Sequence, residues 1–157
     1  MKQRINGYEH AQGAFKAMSG LGIYLSKSSL EQSLLNLLYF RVSQINGCAF
    51  CLDMHAKDMR VAGETEQRLY MLDAWRESPV YSDRERAALA WAEAVTKITE
   101  GHVPDEVYEE ASREFSEQEL VDLTVAMITI NSYNRINIAF RTTAGTYKVG
   151  QFAVHAN

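Results

Sequence analysis

The segment SQINGCAFCLDMHAKDMRVAG, residues 43–63, contains the end of one predicted helix and the whole of the next. The dipeptide Asn46-Gly47 interrupts the helical pattern, because Asn-Gly pairs are typical of turns. A new helix is predicted from about Cys48 to Ala62, and Gly63 stands where a C-terminal helix cap is expected. The segment therefore predicts two helices joined by a tight turn, with the only two cysteines of the chain near the start of the second helix.

Helical phase places the two cysteines and a histidine on one face of this second helix. At 100° per residue, Cys48, Cys51 and His55 fall in the same stripe. His55 follows Cys51 by one turn, the spacing at which helical side chains contact each other. The sequence therefore predicts that the two thiols and the imidazole lie close together.

This arrangement is typical of a reactive dithiol. Free N–H groups at a helix N-terminus stabilise a thiolate, and a neighbouring imidazole can accept the thiol proton. A second thiol three residues away can condense with a sulfenic acid to close a disulfide, which an external reductant then reopens. The residues alone therefore favour a dithiol that reduces a peroxide or exchanges disulfides.

Two other interpretations of the same residues stay open. Cysteines are common in protein cores, so Cys48 and Cys51 could be structural. The two cysteines and His55 could also supply three zinc ligands. The chain has no second CxxC pair, so the fourth ligand would be a carboxylate or one of His10, His102 and His155.

The rest of the chain predicts an all-α fold. Capping boxes, in which a Ser side chain and a Glu or Gln three positions later bond each other's N–H groups, begin at Ser29, Ser82 and Ser116. The last helix contains LTVAMITI, whose β-branched residues would also suit a buried strand, but its length and capping box favour a central helix. The tail from Arg141 onward is expected to be extended. Seven helices are expected, at about residues 8–25, 30–44, 48–62, 66–75, 83–98, a short stretch after Pro104, and 117–140.

The composition bounds the class of protein. A chain of 157 residues predicts one domain over residues 1–157. The net charge is −4 and no run of Lys and Arg is present, which argues against nucleic-acid binding. No apolar run approaches the length of a membrane span, and the N-terminal residues MKQRINGYEH do not resemble a secretory signal. A cytoplasmic location is expected, where paired cysteines are more often catalytic or metal-binding than structural.

Two segments carry a resemblance to a known family. They are FRVSQINGCAFCLDMHAKDMRVAGETEQRLYMLDAWRESPVYSDRERAALAWAEAVT, residues 40–96, and FSEQELVDLTVAMITINSYNRINIAFR, residues 115–141. Through them the chain resembles the carboxymuconolactone decarboxylase superfamily, and in particular its alkylhydroperoxidase D-like branch. The resemblance implies an all-α subunit of about six to seven helices that assembles into homo-oligomers, from dimers or trimers up to hexamers. It also implies thiol-dependent peroxidase or disulfide-reductase activity on a small hydroperoxide or disulfide, with an external thiol or dithiol reductant and no metal or organic cofactor.

The resemblance further implies a role for each residue of the motif. Cys51 would attack the hydroperoxide, Cys48 would resolve the sulfenic acid, and His55 would relay protons. The family's relay includes a glutamate twelve residues before the first cysteine, and this position is Asn36 here. An amide does not exchange protons near neutral pH, so the relay is expected to be incomplete. Asp58, three residues after His55, is a candidate to orient the imidazole instead.

Polar residues outside the motif carry expectations of their own. Arg41 is expected to form an ion pair between helices or subunits rather than to line the approach to the cysteines. Asn134 and Arg135 lie on an otherwise apolar helix. Because buried polar groups need partners, they are expected to hold helices or subunits together, with substrate contact as the alternative role.

Two other functions are compatible with the sequence. The superfamily includes lactone decarboxylases, and Asn36 leaves room for such an activity. Decarboxylation of a lactone needs acid–base groups and no dithiol, so the two cysteines argue against it. The other possibility is a non-enzymatic protein, either a helical oligomer or a zinc-binding module.

Overall fold

The computed structural model describes residues 2–152, and over this range the chain is helical and has no β-strand. The all-α prediction is therefore confirmed, including a helix rather than a strand at LTVAMITI. Within these residues nine α-helices and one 3-10 turn, Leu72–Ala74, follow each other along the chain. The helices are α1 (Gly7–His10), α2 (Gln12–Leu25), α3 (Gln32–Asn46), α4 (Ala49–Val61), α5 (Glu66–Met71), α6 (Asp83–Thr96), α7 (Ile98–Gly101), α8 (Asp105–Glu114) and α9 (Glu117–Phe140).

The longest helix, α9, lies at the centre of the fold. It contacts α2, α3, α4, α6 and α8. Leu123 and Met127 of α9 are fully buried in the same cluster as Leu38 of α3 and Leu89 of α6. A helix that is apolar on most sides is stable only when other helices cover it, which explains why β-branched residues are accepted here in a helix. Neither α9 nor any other helix within residues 2–152 is long and apolar enough to cross a membrane.

Two of the three predicted capping boxes form. The Ser82 and Ser116 side chains each accept a hydrogen bond from the N–H three residues later, and the glutamate at that position bonds back. The box predicted at Ser29 is wrong, because α3 begins only at Gln32 and Glu31 precedes it without a side-chain cap. Leu30 is buried in the core at this point, so the chain is already packed before the helix begins.

Within residues 2–152 the structure has nine helices rather than about six or seven. The helix predicted at about residues 8–25 is divided in two, and a short helix that was not predicted, α7, begins where the helix predicted at about residues 83–98 ends. Ala11, with φ −136° and ψ 42°, separates α1 from α2. Lys97, with φ −99° and ψ 32°, separates α6 from α7. The β-branched residues on either side of Lys97, Thr96 and Ile98, have low helix propensity. Nothing in the sequence around Ala11 explains the first break.

The predicted turn at Asn46-Gly47 is confirmed. Gly47 ends α3 with φ 69° and ψ 33°, a left-handed conformation that glycine adopts without steric cost. The N–H groups of Gly47 and Cys48 donate to the last carbonyl groups of α3, those of Gln44 and Ser43, at 3.1 and 3.0 Å. The chain therefore leaves α3 sharply, and α4 begins two residues after the glycine.

Residues 141–152, called the strap here, form turns rather than the extended segment that was expected. The strap lies against α4. Lys57 donates hydrogen bonds to the carbonyl groups of Gly145 and Tyr147, and Asp53 accepts one from the Gly145 N–H at 2.9 Å. The end of the predicted tail, residues 153–157, lies outside the described residues.

Gly47→Ala is predicted to lower the free energy of unfolding by about 1–2 kcal/mol, because a Cβ atom is strained in the left-handed conformation. Gly20→Ala is the matched control. Gly20 lies inside α2, and a Cβ built there meets no atom within 4 Å, so this change should stabilise the protein by about 0.5–1 kcal/mol. Urea denaturation followed by circular dichroism measures both, and equal effects of the two variants would contradict the argument.

Candidate active site

The two cysteines lie where α4 begins. Cys48 is the residue that precedes the first turn, with extended backbone angles, and its Sγ accepts a hydrogen bond from the Cys51 N–H at 3.4 Å. The two residues form a disulfide, and each is only 1% exposed. The pair is therefore a closed, buried dithiol at a helix N-terminus, where free N–H groups favour a thiolate once the bond is reduced.

His55 is buried one turn further along α4. Its residue exposure is 9%, and its Nε2 atom has no hydrogen-bond partner among residues 2–152. Burial lowers the pKa of His55 to about 4, because the charged imidazolium loses its hydration. The imidazole is therefore neutral at neutral pH when the cysteines are oxidised, and it is able to accept a proton.

An aromatic ring lies beside His55. The ring of Tyr39 on α3 packs against the imidazole with 5.6 Å between centroids and 37° between planes. Burial, together with the nearby Tyr133, raises the pKa of Tyr39 to about 12, so the phenol stays protonated. Sequence reasoning did not identify Tyr39, because the contact joins two different helices.

Asp58, the candidate to orient His55, and Asn36, which stands where the family has a glutamate, both have other partners. Asp58 accepts hydrogen bonds from the Tyr147 hydroxyl at 2.8 and 3.0 Å, so it holds the strap rather than His55. The expectation that Asp58 orients the imidazole is not supported. Asn36 accepts a hydrogen bond from Gln32 at 3.0 Å, one turn back on α3.

One side chain from α9 contacts the disulfide directly. The Nδ2 atom of Asn137 donates to the Sγ of Cys51 at 3.5 Å across 86 positions of sequence. No local signal in the sequence pairs Asn137 with a cysteine, because the two residues lie on different helices. Among the described residues, no other side chain donates a hydrogen bond to a sulfur atom of the disulfide.

Asn134 holds helices together. It is 0% exposed, accepts a hydrogen bond from Asn46 at 2.9 Å and donates one to Ser43 at 3.1 Å. Arg135 is exposed and donates to the backbone and side-chain oxygens of Asn131 on the same helix. The contacts of Asn134 fit the structural role that was expected, because they join α9 to α3. The contacts of Arg135 lie within α9, so they do not show it holding two helices together.

Arg41 forms the ion pair that was expected. It is buried between helices and pairs with Glu93 of α6 at 2.8 Å and with Asp73. Burial by itself raises the pKa of Glu93, but hydrogen bonds from Trp75, Arg76 and Arg41 outweigh it and hold that pKa below its ordinary value. Arg41 therefore stabilises the packing of α3 on α6.

Among residues 2–152, no group of three or more His, Cys, Asp and Glu side chains is arranged to hold a metal ion. His155, which the sequence named as one possible zinc ligand, lies outside this range.

The fold and the site together define a class: an all-α protein with a CxxC disulfide at a helix N-terminus and a buried histidine one turn later. The chain belongs to the carboxymuconolactone decarboxylase family, whose model matches residues 9–94. Within that superfamily it belongs to the alkylhydroperoxidase D-like branch, as the resemblance had implied.

Relatives support this assignment. The chain is 44% identical to the uncharacterised protein YdfG of Bacillus subtilis over 146 residues, which cover 93% of this chain and 99% of YdfG. A crystal structure of a protein of unknown function from Agrobacterium tumefaciens, suggested to be an antioxidant defence protein AhpD, is 45% identical. The two structures superpose over 93% of this chain and 100% of the Agrobacterium chain, with a TM-score of 0.89. The debrominase Bmp8 shares the fold, with 21% identity, a TM-score of 0.73, and coverage of 83% of this chain and 70% of its own.

The stability of the oxidised protein is predicted to fall as the pH decreases from 6.5 to 4. Over this range an unfolded histidine binds a proton, whereas native His55 stays neutral down to a pKa of about 4. A group that is protonated only in the unfolded state favours unfolding, and the shift corresponds to about 3 kcal/mol. Urea unfolding of the parent and of His55→Gln at several pH values measures this contribution as the difference between the two curves. Parallel curves, or an NMR titration of the His55 ring with a midpoint near 6.5, would contradict it.

Proposed function

We propose that the protein is a thiol-dependent peroxidase or disulfide reductase of the alkylhydroperoxidase D-like type. Cys51 is the attacking thiol, Cys48 is the resolving thiol, and His55 moves the protons. The observation that carries this proposal is the Cys48–Cys51 disulfide at the N-terminus of α4, one turn from a buried, neutral imidazole.

The reaction with a hydroperoxide has three steps. The Cys51 thiolate attacks the terminal oxygen, the O–O bond breaks, and the leaving alkoxide takes a proton to become an alcohol, which leaves Cys51 as a sulfenic acid. The Cys48 thiol then displaces the hydroxyl group, so that the disulfide forms and water is released. An external dithiol reopens the disulfide through a mixed disulfide and is itself oxidised. With a disulfide substrate, the Cys51 thiolate attacks sulfur instead of oxygen.

The position of His55 suits proton transfer in both directions. It lies one turn after Cys51, at the spacing where helical side chains meet. When the disulfide is reduced, a thiolate beside the ring favours the imidazolium, so the pKa of about 4 belongs to the oxidised protein. The imidazole takes the thiol proton as the thiolate forms and returns it to the leaving oxygen.

The family's proton relay includes a glutamate at the position that is Asn36 in this chain, so the proposed relay has one proton carrier fewer. Asn36 is partly buried and bonded to Gln32, and an amide cannot carry a proton near neutral pH. In this chain His55 exchanges its proton without a carboxylate at that position. The lactone decarboxylase alternative would use the acid–base capacity of His55 and would not need the dithiol.

Homo-oligomer formation is part of the proposal. Val121 and Ile128 lie two turns apart on α9, and they are 57% and 53% exposed although most of the apolar residues of this helix are buried or partly buried. Large apolar side chains grouped on one face favour contact with a second surface. A second copy of the chain is the proposed partner. We place the activity in the cytoplasm, where thiol reductants are available.

Cys51→Ser is predicted to abolish peroxide consumption with dithiothreitol as the reductant, because serine does not form a sulfenic acid. When no reductant is present, Cys48→Ser should still consume about one equivalent of peroxide and leave a sulfenic acid on Cys51, which dimedone traps for mass spectrometry. His55→Gln should lower kcat/KM by about 100-fold, at the lower end of general acid–base contributions.

Peroxide turnover by Cys51→Ser at the parent rate would refute the assignment. Muconolactone decarboxylation that survives replacement of both cysteines would establish the alternative function.

Ile128→Glu is predicted to dissociate the oligomer, because a carboxylate on the proposed contact face would lose hydration on association. Size-exclusion chromatography with light scattering gives the mass of the parent and of the variant. Tyr70→Glu is the matched control, since Tyr70 is 72% exposed on a different helix, α5. A parent that is monomeric at micromolar concentration would contradict this part of the proposal.

A further inference from the structure

The two sulfur atoms of the motif have different hydrogen-bond donors. The Sγ of Cys48 accepts the Cys51 N–H at 3.4 Å, so this free N–H group in the first turn of α4 serves Cys48. The Sγ of Cys51 accepts the side-chain amide of Asn137 at 3.5 Å. If the helix N-terminus were the only stabilising element, the thiolate would be favoured at Cys48. The proposed function needs the reactive thiolate at Cys51.

We propose that Asn137 is a further residue of the reaction, whose amide holds the thiolate at Cys51 rather than at Cys48. This inference rests on the proposed function for its direction, because it assumes that Cys51 attacks. A hydrogen bond to an ionised acceptor is about twice as strong as one between neutral groups, so the contact strengthens when the disulfide is reduced. The amide is a neutral donor, and it keeps this role at every pH at which the thiol titrates.

The position of Asn137 is set by the backbone at the end of α9. Its carbonyl group accepts a hydrogen bond from the Thr142 N–H at 2.9 Å, and this bond caps the C-terminal end of α9. Asn134, one turn earlier, is fixed to Asn46 and Ser43 at the end of α3. Hydrogen bonds therefore hold α9 both before and after Asn137, and the amide contacts Cys51 without any rearrangement.

Several charged groups on the surrounding elements have other partners. On α4, Asp53 and Lys57 pair with each other and with the strap, and His55 is neutral. On α9, Arg135 is bonded to its own helix, and from the N-terminal segment Arg4 donates to the Ala139 carbonyl group. No hydrogen bond from these groups reaches a sulfur atom among residues 2–152, which leaves the Asn137 amide as the contact to test.

The test titrates each thiol separately. In a Cys48→Ser background, the Cys51 thiolate is followed by its absorbance at 240 nm and by the pH dependence of alkylation with iodoacetamide. Asn137→Leu removes the donor with little change of shape and should raise the Cys51 pKa by about one unit, the equivalent of one hydrogen bond to a charged group. Asn137→Asp places a carboxylate in the same shape and should raise it further, because like charges disfavour the thiolate.

Two controls separate this role from a general structural effect. In a Cys51→Ser background, Asn137→Leu should leave the Cys48 titration unchanged. Gln67→Glu adds the same negative charge on α5, where Gln67 is exposed, and should leave the Cys51 titration unchanged. The peroxide rate constant at pH 7 should fall only about three- to fourfold in Asn137→Leu, because the loss of thiolate is partly offset by the greater nucleophilicity of a more basic thiol.

The outcomes distinguish this inference from the proposed function. If the parent turns over peroxide and both Asn137 variants leave the Cys51 titration unchanged, the inference is wrong and the proposed function stands. If the Cys51 pKa increases from parent to Asn137→Leu to Asn137→Asp while the parent consumes no peroxide or disulfide, the role of Asn137 stands and the proposed function is wrong. A rise in both thiol pKa values in Asn137→Leu would also overturn the inference, since it would indicate a general change at the helix N-terminus.

Discussion

The buried amide of Asn134 joins α9 to the end of α3, and the geometry of the candidate site depends on this junction. Asn134 accepts a hydrogen bond from Asn46 and donates one to Ser43, and it has no exposed surface. Buried polar groups that lose their partners are costly, so α9 cannot slide along α3 without a large penalty. Cys48 comes two residues after Asn46, and Asn137 comes three residues after Asn134. The junction therefore fixes how far Asn137 lies from the disulfide.

The helices could be predicted from the sequence wherever their boundaries depend on neighbouring residues. The capping boxes at Ser82 and Ser116 need only a side chain and an N–H group three positions away, and both form. The box at Ser29 does not form, because packing of Leu30 into the core decides where α3 begins. The break at Ala11 has no glycine or proline at that position, so a local pattern does not reveal it.

The candidate site, like the helices, could be predicted only where its residues lie close together in the sequence. The CxxC pair and His55 lie on one helix, so their spacing predicts their common face. The residues that complete their surroundings come from elsewhere: Tyr39 from α3 and Asn137 from α9. Asp58 has the right spacing to His55, but the strap supplies a closer partner in Tyr147. Contacts between distant segments depend on packing. One sequence, read without an alignment to its relatives, contains no signal for them.

The division of donors between the two sulfurs shows why a motif alone does not assign the attacking thiol. A CxxC pair at a helix N-terminus gives its local N–H donor to the first cysteine, here Cys48. His55 adds a compensating charge only after it has taken a proton, and it lies nearer to Cys51 along the helix. The amide of Asn137 is the neutral, permanent donor at Cys51. A family member that keeps the CxxC pair and the histidine but has no donor at the Asn137 position should therefore distribute its thiolate differently, even though its motif is identical.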